Sequence, residues 1–176
     1  MSVVRHGPGC GCAVMGRRSL FGLASAGAIA SGVPARAAGG SYEAMLVNCI
    51  DPRFTTSSWA WMAGRGFKDL YSQFTIAGGP IGVVSPRFQD WHGAFWDNLA
   101  ITVQLHSVKR VVGLTHRDCG AAALAFPNSA KGDRAMENLD HAGALRVFAA
   151  AVRTRQPALR VDLGIMALDG SVDLVT

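Results

Sequence analysis

Two short segments carry the residue types that chemistry needs. They are Cys49-Ile50-Asp51-Pro52-Arg53 and His116-Arg117-Asp118-Cys119-Gly120, with His116 67 positions after Cys49. Two thiolates and one imidazole form the soft and borderline donor set that zinc prefers. Three protein ligands leave a fourth position open, as in catalytic rather than closed structural sites, and zinc lowers the pKa of water held there to about 7. Asp51 and Arg53 stand two residues apart, so that Arg53 can hold Asp51 ionised and turned towards such a water. Two competing readings stay open at this level. Cys49 and Cys119 could form a disulfide in an oxidising compartment, and Asp51 with Arg53 could be a surface ion pair worth about 0–1 kcal/mol.

The elements around these segments must bring them together. Residues 44–50 (Ala-Met-Leu-Val-Asn-Cys-Ile) form an apolar run without helical period, stopped by Asp51-Pro52, and read as a buried strand. Residues 74–77, ended by Gly78-Gly79-Pro80, read as a second strand; residues 108–115 and 159–166 read as a third and a fourth. Between the second and third, Trp91, Phe95, Leu99 and Val103 recur every four residues and predict a helix over 88–106. Residues 136–155, ended by Pro157, predict another. Strands alternating with helices imply an α/β fold with a mainly parallel sheet of four or five strands. In such sheets ligands bind beyond the C-terminal strand ends, where Cys49, Asp51, Gly78-Gly79, His116 and Cys119 all fall.

The N-terminal stretch has a different character. Residues 1–37 hold four arginines and no acidic residue, with Arg17-Arg18 followed by a weakly apolar run of about fourteen residues and then Ala35-Arg36-Ala37. This order resembles a twin-arginine export signal cleaved after Ala37, and the run is too short for a stable membrane anchor. The expected product is one domain over residues 38–176, exported to the periplasm. The full chain has 17 basic and 12 acidic residues and a net charge of +5. Four of those basic residues belong to the leader, which brings the remainder close to neutral. With its Arg and Lys scattered singly, a nucleic-acid partner is not expected. Cys10 and Cys12 leave with the leader, so both remaining cysteines lie in the proposed site.

Cys-x-Asp-x-Arg after a first strand, followed by His-x-x-Cys-Gly after Val111-Val112-Gly113, resembles the β-class carbonic anhydrases. The resemblance runs from about Tyr42 to Val172 and includes Leu168-Asp169-Gly170-Ser171-Val172, which is similar to that family's last strand and turn. It implies zinc (Zn2+) held by Cys49, His116 and Cys119, with Asp51 and Arg53 as the catalytic pair. The implied reaction is reversible hydration of carbon dioxide to bicarbonate by zinc-bound hydroxide, in a homodimer or higher homo-oligomer. It also gives Asp51 a second role, as fourth ligand in a closed state. Pro52 stands where the family has a small hydroxylated residue, which stiffens or re-aims the pair. Thr75-Ile76-Ala77-Gly78-Gly79 replaces a more polar segment. Two further functions follow as expectations: a hydrolase for carbonyl sulfide or carbon disulfide on the same zinc, and a non-catalytic zinc-stabilised interaction domain.

Overall fold

The computed structural model describes residues 40–127 and 133–176, and the leader expected over 1–37 lies outside the described residues. Five strands form one sheet: β1 (Ala44–Asn48), β2 (Tyr71–Thr75), β3 (Arg110–His116), β4 (Arg160–Met166) and β5 (Val172–Val175). Their spatial order is β2-β1-β3-β4-β5. The first four are parallel, with Ala44 opposite both Tyr71 and Arg110, and β5 turns back antiparallel against β4. The expected α/β architecture with a mainly parallel sheet is therefore the one observed.

All five residues of β1 are buried, as a central strand with both faces covered requires. Its side chains alternate between two cores. Met45 and Val47 join Val111, Leu163 and Ile165 on one face, beneath α3 (His92–His106) and α5 (Arg134–Arg155), which contribute Phe95, Leu99, Leu145, Phe148 and Val152. Ala44 and Leu46 join Val112, Leu114 and Met166 on the other, beneath Phe54 and the Met62 and Phe67 region that includes α1 (Thr55–Met62). Burying one such large side chain contributes roughly 1.5–3 kcal/mol. Two short helices, α2 (Pro80–Val84) and α4 (Gly120–Ala125), start directly after the Gly-Gly turn and the second ligand segment.

Several boundaries differ from expectation for identifiable reasons. The second strand starts at Tyr71 rather than Phe74, because an edge strand accommodates Tyr71-Ser72-Gln73 without an apolar run. The helix expected over 88–106 is divided. Pro86–Trp91 is a 3-10 segment broken at Phe88 (φ −124°), and the regular helix starts at His92. Trp91 therefore leaves the Phe95-Leu99 face and stacks on Phe88 at 4.5 Å. Helix α5 starts two residues early because Asp133 caps it, accepting from the Ala135 and Met136 N–H groups. Residues 168–171 form only the turn, and the last strand begins at Val172.

His141, on the inner face of α5, is 1% exposed and its Nδ1 has no partner among the described residues. Burial pulls its pKa down to about 4; Glu137 opposes the shift, and Arg117 and His116 add to it. The native state therefore holds His141 neutral, while the unfolded chain protonates it near pH 6.5. Its contribution is whole above pH 6.5 and is lost as pH falls towards 4, to a total of about 3 kcal/mol. Urea unfolding at pH 7 and pH 4.5 should show a loss of stability that is about 2–3 kcal/mol smaller in His141→Leu. Equal losses in the two proteins would remove His141 as the cause.

Candidate metal centre

Cys49 follows the end of β1, His116 closes β3, and Cys119 precedes α4. Because β1 and β3 are neighbours in parallel register, residues far apart in sequence meet at one end of the sheet. The donor atoms of Cys49, His116 and Cys119 all lie within 4.8 Å of one another. Both cysteines are free thiols, Cys119 buried and Cys49 half-buried, so the disulfide reading does not describe this structure.

The donors are individually aimed. His116 is 3% exposed. Its Nδ1 lies 2.8 Å from the Arg117 carbonyl, which fixes the tautomer carrying Nδ1–H and leaves Nε2 as a lone-pair donor. That Nε2 is buried with no hydrogen-bond partner, an arrangement costly in a finished site and expected of a metal ligand. Phe54 lies against the imidazole with centroids 4.1 Å apart and limits its rotation. The Gly78 N–H donates to Cys49 Sγ at 3.2 Å. Gly78 has φ 77° and Gly79 φ 54°, and a Cβ on Gly79 would come within 2.9 Å of the Asn48 carbonyl carbon and the Leu114 oxygen. Only glycines let this turn sit between β1 and β3 and present its N–H to the sulfur.

Without a metal the two thiols share one negative charge. A hydrogen bond from Cys119 holds Cys49 well below the usual thiol range, helped by the nearby His116 and the Gly78 N–H against burial. The same bond to Cys49, with burial, pushes Cys119 up. Burial pulls His116 down, but the nearby Cys49 sulfur and the bond to the Arg117 carbonyl outweigh this and raise it. A divalent cation would let both sulfurs be thiolates. The donor set, the unpartnered Nε2 and the shared charge all fit a bound metal.

Asp51 and Arg53 form a two-pronged pair. Arg53 Nε donates to Asp51 Oδ1 at 3.1 Å, Nη2 to Oδ2 at 2.7 Å, and the Arg53 N–H to Oδ1 at 3.0 Å. Led by the Arg53 side-chain bond, these interactions hold the Asp51 carboxyl down to about 2. Pro52 explains the local shape. It opens a one-turn 3-10 helix, Pro52–Phe54, where its missing N–H is no loss, while Asp51 (ψ 117°) is the cap. Asp51 Oδ2 stands 4.0 Å from His116 Nε2, facing the cluster while committed to Arg53. Thr75 turns its hydroxyl to Asn48 Oδ1 at 3.2 Å, and Ile76 packs against the core.

Sequence reasoning placed all five of these residues at one site and read Asp118, between the paired ligands, as a turn residue or supporting acceptor; it missed Phe54 and Glu137 as supports. Phe54 and the Gly78 N–H have been described. Asp118 accepts Arg53 Nη1 at 2.8 Å, and Glu137 accepts the Asp118 N–H at 2.8 Å. The Gly78-Gly79 pair and Asp118 left a trace in the sequence; Phe54 and Glu137 did not. Trp91 and Trp96 do not take part: Trp96 packs edge-on to Phe95 and beneath Arg155.

No family model matches the chain. Two uncharacterized proteins align over 131 residues, 74% of this chain. The one from Rickettsia conorii is 25% identical over 70% of its length, and the one from Rickettsia bellii 24% over 80%. Solved structures of three β-carbonic anhydrase sources superpose on the fold. A tetrameric enzyme of Sordaria macrospora gives a TM-score of 0.54 at 14% identity, covering 80% of this chain and 84% of its own. An enzyme of Trichomonas vaginalis gives 0.51 at 13%, covering 78% and 84%. One of Aspergillus fumigatus gives 0.51 at 16%, covering 78% and 76%. The chain has the fold found in β-carbonic anhydrases, with a Cys-His-Cys group on it suited to a metal ion.

Proposed function

We propose that the protein is a zinc-dependent, carbonic anhydrase-like lyase that hydrates carbon dioxide reversibly to bicarbonate. The observation that carries this reading is the convergence of Cys49, His116 and Cys119 within 4.8 Å, faced by an Arg53-held Asp51, on this fold. Zinc, when bound, supplies a Lewis acid that makes water nucleophilic near neutral pH. Cys49, His116 and Cys119 are the residues that would hold it. Asp51, ionised at every working pH, accepts a hydrogen bond from the attacking water and so turns its lone pair away from the carboxylate. Arg53 keeps Asp51 charged and fixed, at little entropic cost because its fork is already bound at both prongs. Export with the leader removed after Ala37 is part of the proposal on the strength of Arg17-Arg18 and Ala35-Arg36-Ala37 in the sequence, and a homo-oligomer as the working form on the strength of the tetrameric structural neighbour.

A second reading keeps the same residues and changes the substrate to carbonyl sulfide or carbon disulfide. It is favoured by the segment at the end of β2. There Thr75 is spent on Asn48 and Ile76 on the core, leaving the Gly78 N–H as this segment's recorded contact with the cluster. Stopped-flow hydration by zinc-loaded protein, beside turnover of the two sulfur compounds, separates the readings. The expected result is carbon dioxide hydration with kcat/KM above about 10⁴ M⁻¹s⁻¹. Hydration no faster than the metal-free protein, with turnover of a sulfur analogue, would select the second. Inactivity on all three would leave a zinc-stabilised interaction domain.

A further inference from the structure

The loop between His116 and Cys119 is tied to α5 by one side chain. Glu137 Oε1 accepts the Asp118 N–H at 2.8 Å, and Oε2 accepts Arg117 Nη1 at 3.3 Å. The base of this tie is rigid. Asp133 Oδ1 accepts the Ala135 and Met136 N–H groups at 2.9 and 3.1 Å, and its carbonyl accepts the Glu137 N–H at 3.0 Å. Arg117 is only 3% exposed and is also paired with Asp173 at 3.3 Å, so its end of the tie is enclosed.

What Glu137 holds is an unusual backbone. Asp118 lies in the left-handed region at φ 56°, which costs a non-glycine residue about 1 kcal/mol. That conformation turns two groups of Asp118 towards Arg53. Its carboxylate accepts Nη1 at 2.8 Å and its carbonyl accepts Nη2 at 3.1 Å. The rest of the Arg53 fork is on Asp51. The guanidinium is half exposed, and with Asp51 alone to hold it a flexible arginine would exchange rapidly with solvent.

We propose that Glu137 is a positioning residue for the Asp51–Arg53 pair, acting through Asp118. It holds the ligand loop in the conformation that docks the far side of the Arg53 guanidinium, and so sets the direction in which Asp51 faces the cluster. This rests on the reading of Asp51 and Arg53 as the working pair. A purely structural role for Glu137, as a negative charge in the first turn of α5, is the alternative. It would lower stability without touching Arg53.

The test is hydrogen exchange at the Arg53 Nε–H in ¹⁵N-labelled, zinc-loaded protein. Glu137→Ala should raise that exchange rate at least tenfold. Asp173→Asn, which removes the other partner of Arg117 but lies off the path to Asp118, should leave it within twofold. If Glu137→Ala does not fold, Glu137→Asp, one methylene shorter, should accelerate exchange in the same way. Wild-type exchange in a folded Glu137 variant, or equal acceleration in Asp173→Asn, overturns the proposal. In parallel, carbon dioxide hydration by the Glu137 variant should lose about tenfold in kcat with KM unchanged. If the wild-type protein hydrates no carbon dioxide, the proposed reaction fails while the exchange measurement still decides the role of Glu137.

Discussion

Replacing His116 with alanine should reduce zinc from about one ion per chain to less than a tenth, with hydration falling to the metal-free level. His116 contributes the only nitrogen of the donor group, and its Nε2 is buried with no other use. Its removal leaves two sulfurs, which without a third donor hold zinc far more weakly. The loss should not be a loss of fold. Truncation leaves a space beside Phe54, which costs on the order of 2–4 kcal/mol by comparison with other large-to-small changes. Metal analysis after dialysis against a mild chelator, with circular dichroism on the same sample, checks both halves. A folded variant that retains a full zinc equivalent would remove His116 from the ligand set.

Asp51→Ala should have the opposite pattern, retaining zinc and fold while losing about 10²–10⁴ in kcat, the usual contribution of a positioned proton-accepting group. The carboxylate lies outside the trio of mutually close donors, so its loss does not open the metal site. The Arg53 guanidinium keeps Asp118 as a partner, so it is not stranded. The pH profile adds a second check. With its pKa down at about 2, Asp51 is ionised throughout pH 5 to 8. Any acid limb in the wild-type profile between pH 5 and 8 therefore belongs to another group, and it should persist in the residual activity of Asp51→Ala. Near-wild-type turnover in the variant would show that Asp51 does not serve the attacking water.

The readable parts of this chain were those whose physical demand is local. A fully buried parallel strand needs an unbroken apolar run, and residues 44–47 and 111–114 are such runs, so the central strands and the ligands at their ends were legible. Glycines and prolines mark turns by their backbone limits, and the Gly78-Gly79-Pro80 turn stood out for that reason. Helix α1 was invisible because Thr-Thr-Ser-Ser-Trp-Ala-Trp-Met has weak helix formers and no apolar period. Only packing of Met62 and Phe54 beneath the sheet makes it helical. The supports of the site were illegible for a related reason. Glu137 and Asp118 meet through a backbone N–H, a contact any acidic residue at that place in space could make, and no spacing in the sequence encodes it.

The strand order β2-β1-β3 has a temporal consequence. After β1 the chain goes to one side to make β2, then returns across to the other side for β3. The first donor is therefore separated from the other two by the whole of that excursion. Until β1 and β3 are side by side, this site offers a metal His116 and Cys119 without Cys49. Such long-range pairing is among the slower events of folding, since its loop-closure entropy is lost before its contacts form. Under the proposed metal site, capture at full affinity would thus be a late event that reports completion of the sheet's centre. An ion bound there would act as a latch on the crossover, opposing the separation of the two strands that first made its site.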